Sequence, residues 1–374
     1  MFLTIIIFII ILGLLVFVHE FGHFIVAKKS GMVVEEFGFG FPPRIAGIKK
    51  VDGKWKWVWG RKRIQNENTS DTIYSINAIP LGGFVRILGE NNEHENHPGS
   101  FINKGFWPRF FTLIAGVLMN VVLAWALISV GYMIGLPVAV DSPSEIPAHA
   151  TFSQPQIAIL DVAKDLPADK SGIKPNDIIL GIDGQSFSEV PDIQKYVKEH
   201  AGKSVSFQVK RGNQELSLAV TPNPNPGPDE GPTGIILSLV GKLKYPIHYA
   251  IWEGGKTTLN ALYGIVSGLY QLFSGHLGFA SLGGPVKIAK LTGEVADLGL
   301  IYLLQFTAFL SLNLAMLNIL PFPALDGGRV VFLFIEKIRG KKNDQKVEQV
   351  VNTVGFVFLL LLMLVVTVND IIRK

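Results

Sequence analysis

The sequence contains no cysteine among its 374 residues, and only 17% of them are charged. The absence of cysteine excludes disulfides and thiolate metal sites, so any bound transition metal must be held by histidine or carboxylate side chains. Together with 48% hydrophobic residues, the scarcity of charge is unusual for a soluble chain and typical of a membrane protein. The net charge of +4 is small and spread along the chain, which gives no indication of nucleic-acid binding.

Long apolar runs predict four membrane spans. A span must cross a hydrocarbon core of about 30 Å at about 1.5 Å per residue. The first run is not preceded by Lys or Arg and is not followed by a small-residue cleavage site before Lys28, which favours a span over a secretory signal peptide. The predicted spans are residues 2–27, 110–136, 298–320 and 354–368, of which the fourth is short.

Basic residues cluster after the first and third predicted spans. Because Lys and Arg concentrate in cytoplasmic loops, both segments are predicted to be cytoplasmic, which places both termini and residues 137–297 outside. The first cluster comprises Lys28, Lys29, Arg44, Lys49, Lys50, Lys54, Lys56, Arg61, Lys62, Arg63, Lys104 and Arg109, and the second comprises Arg329, Lys337, Arg339, Lys341, Lys342 and Lys346.

The first apolar run contains the pattern H-E-x-x-H as His19, Glu20 and His23. Positions i and i+4 share one face of a helix, so both imidazoles can reach one metal ion, and Glu20 can polarise a water molecule on it. Three ionisable residues inside a span cost several kcal/mol unless they pair, bind metal or face water, which disfavours a chance occurrence. The pattern predicts intramembrane peptide hydrolysis by zinc, with Glu20 transferring protons.

The third predicted span ends in L-N-I-L-P-F-P-A-L-D-G-G-R, residues 317–329. Its two prolines must break the helix and its two glycines let the backbone turn, so Asp326 is expected on unwound chain at the depth of His23. Such backbone is tolerated within a membrane only where it is buried in protein or lines a cavity. Asp326 is therefore predicted to be the third metal ligand, with an ordinary helix-capping role as the alternative.

These two motifs, in this order and in membrane spans, resemble the site-2 protease family of intramembrane zinc metalloproteases, especially the bacterial regulator-of-sigma-E protease type. The resemblance covers essentially the whole chain. It implies that His19, His23 and Asp326 hold one zinc ion per chain and that Glu20 is the catalytic base. It also implies a multi-pass protein of the bacterial cytoplasmic membrane whose active site lies toward the cytoplasm.

Two asparagines match polar positions of the same family. Asn318 corresponds to the residue upstream of the aspartate that helps to position substrate or the oxyanion. The stretch A-G-V-L-M-N, residues 115–120, resembles the second-span motif A-G-P-x-x-N and carries Asn120 in place. Val117 stands where that motif has proline, so the local helix geometry is expected to differ.

Residues 72–90, T-I-Y-S-I-N-A-I-P-L-G-G-F-V-R-I-L-G-E, predict a β-hairpin with two β-prone runs around Pro80, Gly82 and Gly83. A substrate helix shields its own peptide bonds and must be unwound before cleavage, and an exposed strand edge can accept an extended peptide. The family resemblance implies that this hairpin, with Ile73 and Ile76, dips into the membrane beside the metal. A plain cytoplasmic hairpin is the alternative.

Residues 155–222 replace long apolar runs with polar alternation and turns, which indicates a soluble module. Four strands and a helix over residues 192–200 are predicted. The stretch P-A-D-K-S-G-I-K-P-N-D-I, residues 167–178, resembles PDZ domains of the bacterial protease type, which bind extended peptides by strand addition. A single such module is expected, followed by a Pro/Gly-rich linker over residues 221–234.

Within residues 231–297, the stretch 261–293 is apolar, rich in glycine and weakly periodic. The segment is interpreted as amphipathic helices on the outer membrane surface, because a fifth span would put Asp326 on the wrong side of the membrane for the first-span metal. The predicted domains are 1–136 and 298–374 as membrane halves, 137–230 as module and linker, and 231–297 as the surface segment. The fold class is thus a polytopic α-helical membrane protein of about four transmembrane helices, with a membrane-associated β-hairpin and one extracytoplasmic α+β PDZ domain.

The predicted function is intramembrane zinc endopeptidase action on single-span membrane proteins already trimmed outside. The resemblance implies anti-sigma factors and signal-peptide remnants as substrates, with the lipid bilayer and a PDZ-bound peptide as further partners. One alternative is a membrane-anchored metalloprotease that cuts soluble or misfolded chains at the cytoplasmic surface. Another is a PDZ adaptor with structural zinc, which Glu20 disfavours because structural zinc needs no adjacent base.

Overall fold

The computed structural model describes residues 2–51, 53–60, 71–90, 97–140, 142–212, 214–227, 230–275 and 283–372. The chain divides into a first unit, Met1–Ser129 with Ile251–Lys374, and a second unit, Val130–Ala250. The helices are α1 Phe2–Lys29, α2 Phe106–Ile134, α3 Pro167–Lys170, α4 Val190–Glu199, α5 Ile247–Phe273, α6 Pro285–Leu298, α7 Leu300–Ile319, α8 Asp326–Arg339 and α9 Gln345–Ile372. The strands are β1 Val34–Val51, β2 Lys54–Trp59, β3 Ile73–Ile87, β4 Leu136–Val140, β5 Thr151–Val162, β6 Ile178–Ile182, β7 Val205–Arg211, β8 Gln214–Val220 and β9 Ile235–Lys244.

Within the described residues, four helices are long and apolar enough to cross a membrane, which agrees with the predicted number. They are α1, α2, α7 and most of α9, whereas α5 is not one of them. Residues 276–282 of the stretch weighed as a fifth span lie outside the described residues. The predicted ends need correction. Span two stops at Ile134 because Gly135 has φ +121 and a strand follows, and span three begins only after Gly299, whose φ of +116 separates α6 from α7. Span four is not short, since α9 extends on both sides of it.

The three-stranded sheet of the first unit has the order β2-β1-β3, and its two long strands bend sharply. Residues 34–39 of β1 pair with 83–87 of β3, and residues 44–49 of β1 pair with 73–77 of β3. The first half of β1 also faces residues 73–76, with Glu36 opposite Ile73 and Phe39 opposite Ile76. The residue numbers rise together in this last pairing, so these two segments run parallel.

The predicted hairpin is therefore wrong in its pairing. The two β-prone runs of residues 72–90 do not pair with each other, because the first half of β1 lies between them. Local sequence predicted the bend around Pro80, but the pairing partners come from β1, about forty residues earlier. Ile73 and Ile76 consequently lie on an inner run that is paired on both sides, with Ile76 opposite both Phe39 and Ala46.

A buried ion pair holds the bend of β1 together. The guanidinium of Arg44 donates to both carboxylate oxygens of Glu36, with 2.7 Å between Nε and Oε1. Burial by itself raises the pKa of the Glu36 carboxyl, but the hydrogen bonds from Arg44 and Ser75 outweigh this effect, and the pKa lies below its usual value. The bend is thus fixed by a charged pair rather than by a local turn sequence alone.

The bend of β3 packs against α1. A Cβ atom built on Gly82 would lie 2.5 Å from Val16 Cβ, and one on Gly83 would lie 3.2 Å from the Phe17 ring. Only glycine at these positions allows the strand to approach the helix so closely. The sheet therefore contacts α1 in the turn that precedes His19.

The second unit is a six-stranded sheet in the order β4-β9-β5-β6-β7-β8, with every pairing antiparallel. The four predicted strands are confirmed as β5 to β8, and the predicted helix is confirmed as α4 with slightly different ends. Strands β4 and β9 were not predicted. Because β9 pairs with both β4 and β5, the interpretation of residues 235–244 as part of a membrane-surface segment is wrong.

A buried ion pair also stabilises the second unit. The Asp177 side chain is fully buried, and both of its oxygens accept hydrogen bonds of 2.7 Å from Arg211. Burial raises the pKa of Asp177, but the hydrogen bonds from Arg211 and from the Lys174 backbone outweigh it, so the pKa is lowered overall. Asp177 lies within the P-A-D-K-S-G-I-K-P-N-D-I stretch, and Arg211 is the last residue of β7, so the pair ties this stretch to β7.

We predict that Arg211→Met lowers the free energy of unfolding of the second unit by about 3 kcal/mol, because it leaves the Asp177 carboxylate buried without its cation. Urea-dependent pulse proteolysis of the full chain in detergent measures this change. The folded-state pKa of Asp177 is depressed, so the wild-type contribution is complete above about pH 4 and is lost as the pH falls further. A variant as stable as wild type at pH 7, or a difference that persists undiminished at pH 2, contradicts the prediction.

Candidate metal centre

Three predicted ligands from distant parts of the chain meet in the first unit. Ligand atoms of His19, His23 and Asp326 all lie within 4.8 Å of one another. Asp326 Oδ2 is 3.0 Å from His19 Nε2 and 3.4 Å from His23 Nε2, and the two Nε2 atoms are 3.2 Å apart. Both histidines are less than 10% exposed. Spans α1 and α7, with the loop that follows α7, thus bring a helical pair of imidazoles to a carboxylate.

The ring orientation of His23 is fixed by a backbone carbonyl of α2. His23 Nδ1 lies 2.7 Å from the carbonyl oxygen of Thr112. A carbonyl can only accept, so Nδ1 must carry the hydrogen, and Nε2 is left with a free lone pair directed at the cluster. This arrangement is the usual one for a metal-binding histidine.

Asn120 performs the corresponding role for His19. Its side-chain amide lies 3.2 Å from His19 Nδ1, and the amide oxygen is buried without a hydrogen-bond partner among the described residues. Amide oxygen and nitrogen are exchangeable by a 180° rotation. With the oxygen toward the imidazole, Nδ1–H donates to it, the orphaned oxygen is satisfied, and Nε2 of His19 is free for a metal. Asn120 therefore contacts a predicted ligand, whereas the sequence assigned it to substrate.

The cluster fits a zinc ion on two further observations. Asp326 Oδ2 is buried and has no hydrogen bond of good geometry in the described chain, so three lone-pair atoms converge without a donor to satisfy them. A Cβ atom on Gly116 would lie against His23 Nε2 and 2.7 Å from His19 Nε2, so only glycine there keeps the space between the imidazoles open. Two histidines and one carboxylate leave one position open on a four-coordinate ion, as in catalytic zinc sites.

The loop that carries Asp326 is held by α9. Ala324 has a left-handed φ of +73, and its backbone N–H donates to Asn352 Oδ1 at 3.1 Å. Gly355, one turn further along α9, permits close contact, since a Cβ atom there would lie 2.5 Å from Pro323 Cβ. Asp326 itself opens α8, and no side-chain cap is formed at that helix start. These contacts fix the loop in the conformation that directs Asp326 toward the histidines.

Comparison with known proteins settles the family. The profile of "Peptidase family M50" matches residues 7–59 and 57–362, which is nearly the whole chain. The chain belongs to Peptidase family M50. It is therefore a zinc metalloprotease of the site-2 protease family, and the four apolar helices among its described residues are those of a membrane protein.

Named relatives cover this M50 peptidase over its full length. "Regulator of sigma-W protease RasP" of Bacillus subtilis is 31% identical, with 99% of this chain and 98% of the relative covered. A "Putative zinc metalloprotease" of Clostridium perfringens is 34% identical over 96% of this chain and 95% of its own length. Among solved structures, the PDZ domain of the SdrC-like protein from Listeria innocua aligns at 25% identity with a TM-score of 0.20, covering 22% of this chain and 92% of that domain.

The other residues that the sequence predicts for the site of the M50 peptidase lie in several places relative to the His19–His23–Asp326 cluster. Glu20 is half-buried on α1, next to His19. Asn318 is half-buried on the last turn of α7, and no hydrogen bond of its side chain is recorded in the described regions. Pro80, Gly82 and Gly83 lie at the bend of β3 against α1. The structure thus clusters His19, His23, Asp326 and Asn120, but not Asn318.

Three residues that support the candidate metal site of the M50 peptidase are not predicted by the sequence: Thr112, Gly116 and Asn352. Thr112 acts through its backbone carbonyl, which leaves no trace in the side-chain pattern. Gly116 belongs to the A-G-V-L-M-N stretch, and a glycine at this place within a span indicates the close approach of another helix. Asn352 is a polar residue at the start of an apolar run, and nothing local indicates that it reaches a loop about thirty residues earlier.

We predict that Asn352→Ala weakens zinc binding by the M50 peptidase about tenfold, because Ala324 loses the acceptor that holds its left-handed conformation and Asp326 becomes less well positioned. Competition with a chelator, followed by zinc quantification, measures the change. Asn352→Asp keeps an oxygen acceptor and should retain most of the affinity. Thr353→Val, at the exposed neighbouring position, is the matched control. Equal affinity in Asn352→Ala and Thr353→Val would contradict this role for α9.

Proposed function

We propose that this M50 peptidase cleaves the transmembrane segments of single-span membrane proteins, after a first cut has removed the bulk of their outer domain. The observation that carries the proposal is the meeting of His19, His23 and Asp326 between helices apolar enough to span a membrane. A metalloprotease acting on soluble chains has no need to bury its ligands in such helices. The name "Regulator of sigma-W protease" of the Bacillus relative supports anti-sigma factors as one substrate class, beside signal-peptide remnants.

In this proposal His19, His23 and Asp326 bind one zinc ion. Zinc supplies Lewis acidity at the scissile carbonyl and makes hydroxide available near neutral pH. His23 is held for this task by Thr112 and His19 by Asn120, so both rings present Nε2. Glu20, one residue from His19, accepts a proton from the attacking water and delivers it to the leaving amine.

The sheet of the first unit supplies an edge for an extended substrate. Residues 83–87 of β3 pair with β1 on one side, and no described strand pairs with their other side. Gly83, the first residue of this run, and the adjacent Gly82 contact α1 in the turn before His19, so a peptide added along the run would lie beside the helix that carries His19 and His23. This edge replaces Ile73 and Ile76, whose run is paired on both sides and cannot take another strand. Asn318 remains a proposed substrate-positioning residue.

The proposal also covers the orientation of the protein in the membrane and the role of the second unit. The basic segments after α1 and α7 favour a cytoplasmic location for the metal end of these helices, in a bacterial inner membrane. The second unit would then lie outside as a PDZ module. Its role is to exclude substrates that keep a bulky outer domain, or to bind the new terminus left by the first cut.

We predict that Glu20→Gln abolishes cleavage, with a rate at least 10³-fold below wild type, while the purified protein keeps its zinc. The amide cannot accept the proton but leaves the three ligands untouched. Cleavage of a single-span reporter in proteoliposomes, with metal content determined on the same preparation, measures both quantities. Glu294→Gln, on the exposed surface of α6, is the matched control.

Substrate class is tested in the same system. A reporter lacking its outer domain should be cut and the intact reporter spared, and a soluble chain such as casein should be resistant. Preferential cleavage of casein would contradict intramembrane action. Unchanged reporter cleavage by Glu20→Gln would contradict the assigned base. Zinc-bound, inactive wild type would favour a structural metal in an adaptor.

A further inference from the structure

A cavity lies in the first unit, where α2 begins and α8 ends. Its volume is about 450 Å³, and its apolar lining residues are Ile102, Phe106 and Leu333. Basic side chains dominate its charged lining: Lys104, Arg109, Lys337, Lys341 and Lys342 stand against one acid, Glu336. Such a density of cations around a concave surface is costly unless an anion shares the space.

The single acid of the cavity, Glu336, is already paired with Arg109. Both terminal nitrogens of Arg109 donate to the two oxygens of Glu336, at 2.8 and 3.1 Å. This leaves four lysines, for which no ion pair is recorded within the described residues. The Nε atom of Arg109 is also buried without an acceptor in the described chain. The cavity therefore has an excess of donors and of positive charge.

The surroundings of the cavity are those of a membrane interface. Lys337 Nζ lies 4.1 Å from the centre of the Phe106 ring and 5.2 Å from that of Trp107. Trp107 is 58% exposed on the first turn of a span, and Ile338 beside Lys337 is 84% exposed. Tryptophan and lysine at the end of a transmembrane helix mark the headgroup level of a bilayer.

We propose that this cavity binds the headgroup of an anionic phospholipid, with the phosphate among Lys104, Lys337, Lys341 and Lys342. A soluble phosphate compound would satisfy the charge but would leave Trp107 and Ile338 in water. A lipid satisfies both requirements, because its acyl chains lie along the exposed apolar surface that continues from the cavity. Basic pockets between membrane helices are suited to such headgroups.

The proposal is tested with the full chain in detergent, by native mass spectrometry during titration with phosphatidylglycerol or phosphatidylcholine. The test variant is Lys337→Gln with Lys341→Gln. The control is Lys50→Gln with Lys54→Gln, which removes the same charge from exposed positions of the sheet of the first unit. Each lysine near an anionic lipid contributes about fivefold, so the test variant should bind phosphatidylglycerol about 25-fold more weakly than wild type.

The expected result is one phosphatidylglycerol bound per wild-type chain, weaker binding only in the test variant, and no displacement by excess phosphatidylcholine. Equal losses in test and control variants would show general attraction to a basic surface and would overturn the proposal. So would unchanged binding in the test variant, or equal retention of the two lipids. Displacement of the lipid by an equal concentration of inorganic phosphate would make the cavity a site for a free anion and would also overturn it.

Discussion

The convergence of two imidazoles and one carboxylate among apolar helices is the constraint on which the first unit depends. Removing these groups from water is costly, and their lone pairs face one another at 3.0 to 3.4 Å without enough hydrogens to satisfy them. A divalent cation turns this unfavourable arrangement into a favourable one. The second partners of the histidines, Thr112 and Asn120, both belong to α2, so a helix that supplies no ligand determines how the two rings are presented.

Close backbone approach is what allows α2 to do this. A Cβ atom on Gly22 of α1 would clash with the backbone of Ala115, and one on Gly116 would fill the space between the imidazoles. Small residues at such crossings are how membrane helices come into contact, since lipid provides no hydrophobic driving force between them. The same principle operates at Gly327 and Gly328, where a Cβ atom would collide with carbonyl oxygens of the loop before Asp326. Glycine therefore sets the distances within the metal centre.

The parts that sequence could predict are those whose physical reason is local or whose cost is large. His19 and His23 share a face because of helix periodicity, and Asp326 stands out because a charge after a broken span is expensive. The strands β5 to β8 alternate clearly and were found. The pairing of β3 with a bent β1 and the membership of β9 in the second sheet depend on partners far away in sequence, which one-strand patterns do not encode. The sequence identifies Asn120 as a site residue but does not predict its contact with His19, because only the fold brings the two side chains together.

An ion pair also connects the candidate metal centre to the sheet. Glu90, just after β3, accepts a hydrogen bond from Arg329, which lies one helical turn after Asp326 on α8. On the other side of the loop, α9 holds Ala324 and Pro323 through Asn352 and Gly355. The predicted carboxylate ligand Asp326 thus lies between an ion pair to the sheet and the contacts that α9 makes with the preceding loop. The Glu90–Arg329 pair attaches the end of β3 to α8 one turn from Asp326, while the Ala324–Asn352 hydrogen bond holds the loop before Asp326 to α9. Strand position and ligand position are therefore not independent in this fold, although they belong to segments more than two hundred residues apart.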